Sequence, residues 1–288
     1  MGEGLAQRWL AVEQGTRPEE EFLFLQYHFN SDAVHQKSVF EKTWADREIA
    51  KQVYDAQQAH LKKALSSLQP QIHYSSCEVI RLPKKAVKTR APLEQVVMKR
   101  RSLRRTERHD LSIENLAFLL ENSVGITAKL VENETGLVHA LRAAPSGGAL
   151  YPIETYIVPL TVQRLPLDVY HYDPFEHALE RLGKDISLNQ VNSLFFDVDT
   201  VINSSAIILL TARFRRSSIK YGERSYRLIL LEAGAILEHV GLASEAVDLR
   251  SVMLGGFMDA GVNSMLGCNG VDESVIVCGA VGKERPNP

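Results

Sequence analysis

The run SAIILLTA, residues 205–212, leaves this chain the least freedom. It is continuously apolar and bounded by polar residues, the pattern of a strand buried on both faces. Such a strand needs neighbours. ETYIVPL, residues 154–160, is rich in β-branched and aromatic residues and reads as a second strand. ESVIVCGAVG predicts a third over residues 274–281. VYHY at 169–172, turn chemistry at Asp173-Pro174 and a return over 178–182 predict a hairpin. Helical signals lie between these strands. Ser112 has the position of an N-cap for IENLAFLLENS, with Ile113, Leu116, Ala117 and Leu120 on one face. A long buried helix is expected from Tyr226, with Leu228, Leu231, Ala235 and Leu242 as its apolar positions. Gly234 and Gly241, seven apart, would permit close helix packing.

The first third differs in character. Residues 44–68 carry apolar residues at near-helical spacing and end before Pro70. CEVIRLPKKAVKTRAPLE reads as extended or linking chain. Residues 1–92 are therefore taken as a mainly helical extension, for covering apolar surface or docking a partner. A formal net charge of −2 over 288 residues gives no reason to expect nucleic acid. No apolar run approaches membrane-spanning length, and the N-terminal residues lack the basic start and apolar core of a signal peptide. Cys77, Cys268 and Cys278 form neither a disulfide framework nor a zinc knuckle. A cytoplasmic protein with free thiols is expected.

Four stretches carry possible chemistry. In APSGGALYPIE, Gly147 and Gly148 let backbone lie against a flat ligand while Ser146 and nearby N–H groups meet its edge; an ordinary tight turn is the alternative. In MKRRSLRR, Arg100 and Arg104 lie four apart around Ser102, a spacing that converges on one helix face and suits phosphate; a solvated basic face is the alternative. Lys220 beside Tyr221 is a possible acid–base pair. The lysine would act as a base only if its pKa were lowered, for instance by Arg215, Arg216 or Arg224, and a lysine on a polar loop is the default. A second Gly-Gly at Gly255 and Gly256 again admits a ligand edge, and Lys283 and Arg285 offer further cations to a phosphate. His171 and His177 flank the hairpin turn, but no metal is expected there.

The order of these motifs resembles the FMN-dependent nitroreductase superfamily. The wording APSGGALYPIE, VYHYDP, HALERL and KYGERSYRLILLEAG is similar to its SagB-type azoline dehydrogenase branch, over roughly residues 93–282. That resemblance implies an α+β fold with a central, mostly antiparallel sheet flanked by helices, and a homodimer with FMN at each interface. Residues 93–288 would form the catalytic domain. Arg100, Arg101, Ser102 and Arg104 would hold the FMN phosphate and ribityl chain, assisted by Lys283 and Arg285. Pro145, Ser146, Gly147 and Gly148 would meet the isoalloxazine from the partner subunit, and Gly255 and Gly256 its other side. Lys220 and Tyr221 match the family's Lys-Tyr pair. The implied activity is oxidation of thiazolines or oxazolines in a peptide to thiazoles or oxazoles, beside a cyclodehydratase and with oxygen as final acceptor. A ribosomally made peptide is the favoured substrate. An NAD(P)H-dependent nitroreductase or quinone reductase is the alternative enzyme, and a non-catalytic scaffold subunit the alternative of another class.

Overall fold

The protein is described by a computed structural model, covering residues 72–131 (apart from 85, 86, 88 and 90) and 138–285. The helical pattern at 44–68 lies outside the described residues. In chain order the elements are β1 (Glu78–Arg81), α1 (Leu93–Lys99), β2 (Thr106–Glu107), α2 (Ile113–Val124), β3 (Ile126–Val131), β4 (Val138–Arg142), β5 (Ile153–Pro159), β6 (Tyr170–Asp173) and β7 (Ala178–Arg181). They continue with α3 (Leu188–Ser193), α4 (Val198–Asn203), β8 (Ala206–Arg213), α5 (Phe214–Tyr221), α6 (Ser225–Ala246), β9 (Arg250–Leu254), α7 (Asp259–Leu266) and β10 (Glu273–Glu284). Two compact units divide the chain: Gln69–Arg215 with Ile229–Pro288 form the main one, and Arg216–Leu228 belong to the other.

The main unit is built on an eight-stranded sheet in the order β1-β7-β6-β5-β8-β10-β2, with β9 also on β10. Its ladders are antiparallel. The expected α+β class with an antiparallel sheet flanked by helices is what the chain forms. β8 shows why its sequence is apolar throughout. Successive side chains of a strand point to opposite faces. Ala206, Ile208, Leu210 and Ala212 join a core with Leu116 and Leu120 of α2 and Ile236 and Val240 of α6. Ile207 and Leu209 join a second core with Val191 of α3 and Val262 and Leu266 of α7. Helices therefore cover both faces of the sheet, and neither side of β8 meets water.

The structure refines three local expectations. Glu78–Arg81, in the stretch read as extended or linking chain, is strand β1, paired with β7. Ser112 does cap α2, accepting from the Asn115 N–H at 3.1 Å. Helix α6, however, buries Ile229, Ala233, Ile236, Leu237, Val240 and Ala243, while Leu231 is 65% exposed. Its apolar residues run almost all round, so spacing alone selected the wrong stripe. No helix among the described residues is long and apolar enough to cross a membrane.

Candidate functional site

A cavity of ≈190 Å³ opens between α1, α6, β9 and β10. Its construction begins where α1 stops. Arg100 still donates its N–H to the Val96 carbonyl at 2.9 Å, but takes φ −50°, ψ 126°, so the chain turns out of the helix. Ser102 then forms an isolated bridge with Ser251 of β9, and the Leu103 N–H donates to the Ser251 carbonyl at 2.9 Å. Leu103, 2% exposed, anchors the segment. Arg100, Ser102 and Ser251 thereby line one wall of the cavity, and Gly241 and Glu238 of α6 line another. A Cβ at Gly241 would sit 3.3 Å from Arg100 Cδ and 3.6 Å from Ser251 Oγ. Glycine is what lets the arginine stem lie on the helix. Gly234 also lines this space, so both helix glycines border the cavity. Glu238 Oε1 lies 3.5 Å from Arg100 Nε and holds the guanidinium across the cavity.

One guanidinium and two hydroxyls beside glycine backbone form a donor set for an oxyanion such as a phosphate. The residues present thus fit the phosphate end of FMN. The helical argument for Arg100 and Arg104 does not survive, because α1 ends at Lys99 and the intervening backbone is not helical. Arg104 is exposed and outside the cavity lining. Arg101 folds back, donating from Nη1 to the carbonyls of Met98 at 3.0 Å and Arg100 at 2.7 Å, and so closes the end of α1. Lys283 donates to the Asp248 carbonyl at 2.7 Å and pairs with its carboxylate. Arg285 joins the Arg105 carbonyl through its N–H at 2.7 Å. Of the six cationic and hydroxyl residues assigned to phosphate, only Arg100 and Ser102 line the cavity. Ser251 and Gly241 were missed; nothing local in the sequence shows that the start of β9 lies beside the end of α1.

The turn at Pro145–Gly148 is tightly determined. Gly148 takes φ 66°, followed by Ala149 at φ 54° and Tyr151 at φ 46°. Ser146 spends its acceptors on the turn: Oγ takes the Tyr151 N–H at 2.9 Å and the carbonyl takes the Ala149 N–H at 3.1 Å. Tyr151 pins the loop, its hydroxyl accepting from the Arg142 N–H at 2.9 Å beneath the guanidinium, 4.9 Å from the ring centre. The second Gly-Gly follows β9, with Gly255 exposed and the Gly256 carbonyl accepting from the Phe196 N–H at 3.0 Å. Lys220 and Tyr221, in the other unit, end α5, with Lys220 Nζ 5.4 Å from the Tyr221 ring centre.

The hairpin histidines have different fates. His177 Nδ1 lies 2.8 Å from the Tyr172 hydroxyl. His171, 1% exposed, sits between Glu180 at 2.8 Å and Glu154 at 3.1 Å. Burial alone would lower its pKa, but hydrogen bonds to Glu154 and Glu180 outweigh that and lift it to about 9. Glu180 also meets His73 Nδ1 at 2.6 Å. Beside them the Tyr74 hydroxyl lies 3.0 Å from that of Tyr156, which donates to Glu273 at 3.0 Å.

The family model "Nitroreductase family" matches residues 97–283. A provisionally named nitroreductase of Methanocaldococcus jannaschii is 27% identical over 179 residues, 60% of this chain and 83% of that protein. The microcin B17-processing protein McbC of Escherichia coli is 28% identical over 159 residues, 54% of this chain and 56% of McbC, so the chain spans little more than half of that relative. Among solved structures, the E. coli microcin synthetase McbBCD complex with truncated pro-MccB17 superimposes with a TM-score of 0.55 at 21% identity, over 79% of this chain and 82% of that one.

Proposed function

The chain belongs to the nitroreductase family, and we propose that within it this protein is an FMN-dependent azoline dehydrogenase acting on a ribosomally made peptide in the cytoplasm. The observation that carries this reading is the Arg100–Ser102–Ser251 cavity, whose donors suit a flavin phosphate, taken with a relative that processes microcin B17. The fold shared with a component of a peptide-bound synthetase complex supports a cyclodehydratase as partner.

In this reading Arg100, Ser102 and Ser251 bind the phosphate, with Glu238 orienting Arg100. Arg101, Arg104, Lys283 and Arg285 contribute charge around that end. Pro145, Ser146, Gly147 and Gly148 present backbone to the ring system across a homodimer interface, and Gly255 and Gly256 approach from the other side. Bound there, FMN would supply the hydride acceptor, with dioxygen as the final acceptor of the two electrons. Lys220 would take the proton from the azoline ring carbon as the hydride leaves, and the ring would gain its second double bond. Tyr221 orients the ring through its hydroxyl.

A nicotinamide-driven nitroreductase is the second reading, favoured by the extent of the M. jannaschii match. Anaerobic addition of NADPH to the yellow holoprotein separates the two. Rapid bleaching supports the reductase. A flavin that stays oxidised with NADPH but bleaches with a thiazoline-bearing peptide supports the dehydrogenase.

A further inference from the structure

The buried histidine cluster lies on the opposite face of the sheet from the glycine-walled cavity. Alternation along the strands sets this. Gly279, which lines the cavity, pairs with Ile208 of the α2/α6 face. His171 pairs with Tyr156, which belongs to the α3/α7 face. In the β6–β7 register His171 stands opposite Glu180 and Asp173 opposite Ala178, so His171, Asp173 and Glu180 all project to one side. The segment before β1 then brings His73 onto them. Its position is held by the next residue, whose N–H donates to Glu180 Oε1 at 3.2 Å.

We propose that His73, Asp173 and Glu180 form a site for one divalent transition-metal ion, with zinc as the best-matched cation. One donor atom from each residue lies within 4.8 Å of the others. An imidazole with two carboxylates is a borderline donor set that suits zinc better than magnesium, which prefers six oxygens in an octahedron. The burial is graded as an entry path needs: Glu180 and Asp173 are almost wholly buried, whereas the His73 side chain is 58% exposed. His73 can swing outward and close on an arriving ion, leaving a fourth position open to water.

The outer partners are already in place. His171 lies 2.8 Å from Glu180 Oε2 and is braced behind by Glu154, which orients the Glu180 carboxylate toward His73. The Phe175 and Glu176 N–H groups donate to Asp173 Oδ1 at 2.8 and 3.3 Å, fixing that carboxylate at the hairpin turn. Orientation of ligands by such second contacts is a regular property of protein metal sites. The 2.6 Å contact between His73 Nδ1 and Glu180 Oε1 is the hydrogen bond that the cation would replace. The ion would clip the segment entering β1 to the β6–β7 hairpin. No change of oxidation state is involved.

The test uses the full chain, stripped with chelator, titrated with zinc chloride and desalted. The expected result is one zinc retained per chain and a raised thermal midpoint. His73→Ala should abolish both effects. Because His73 is exposed, that variant should fold as the parent does, which far-UV circular dichroism checks. Asp173→Asn keeps the Oδ1 acceptor for the hairpin and should weaken zinc binding by ~10-fold or more. Zinc retained equally by His73→Ala and the parent, or by neither, overturns the site.

Discussion

Gly241 and Arg100 are matched across the cavity: the missing side chain of one is the bed of the other. A Cβ on Gly241 would meet Arg100 Cδ at 3.3 Å, so a branched residue there must push the guanidinium away from Ser102 and Ser251. Gly241→Val is expected to leave helix α6 folded and to lower FMN retention several-fold. The ratio of flavin to protein absorbance after purification measures it. Full flavin occupancy in this variant would place the phosphate elsewhere.

Removing the guanidinium is the more direct change. Hydrogen bonds to charged groups contribute about 1.5–3 kcal/mol, so Arg100→Ala should weaken FMN binding by ~10- to 150-fold in a fluorescence titration. Arg104 lies outside the cavity lining, so Arg104→Ala should have the smaller effect, set by charge alone. Equal losses in the two variants would mean that this cavity does not seat the phosphate.

The contrast between these two arginines shows how much of the molecule is legible in its sequence. Strands with continuous apolar runs are readable because burial on both faces leaves no alternative: β5 and β8 appear where periodicity puts them. The spacing of Arg100 and Arg104 misleads because the helix stops at Lys99, and no glycine or proline marks the stop. On α6 apolar residues occupy nearly every face, so the pattern cannot tell core from surface. Ser251 and the pairing of His73 with Glu180 depend on contacts between elements far apart in sequence, and spacing carries no trace of them.

Lys220 offers a separable prediction. It is not among the residues lining the phosphate cavity, so Lys220→Ala should retain FMN while losing azoline oxidation by ~10²- to 10⁴-fold, the usual contribution of a general base. Turnover of a thiazoline peptide, followed by mass loss of two hydrogens, is the measurement. Normal turnover would remove the lysine from the mechanism, whereas parallel loss of flavin would show that it supports the cofactor instead.

Acid sensitivity has an identifiable contributor at Asp168, which is neither a lining residue of the cavity nor one of the three proposed zinc ligands. Asp168 is 2% exposed; Oδ1 accepts from the N–H groups of Val169 at 2.7 Å and Lys184 at 2.8 Å, and Oδ2 pairs with Arg181 Nε at 2.9 Å. Burial by itself would raise its pKa. The hydrogen bonds from Lys184, Arg181 and Val169 outweigh that and hold it below the ordinary carboxylate value. The folded protein thus binds this proton less readily than the unfolded chain does. The stabilisation is complete above the unfolded pKa, ~3.9, and is lost as pH falls through the lower folded value. Asp168→Asn removes the titrating group and the ion pair with Arg181 together. In urea unfolding it should be less stable than the parent at pH 7, by about 1–3 kcal/mol. The gap should narrow steadily below pH ~4. A gap independent of pH would show that the carboxylate charge contributes nothing to the hairpin's hold.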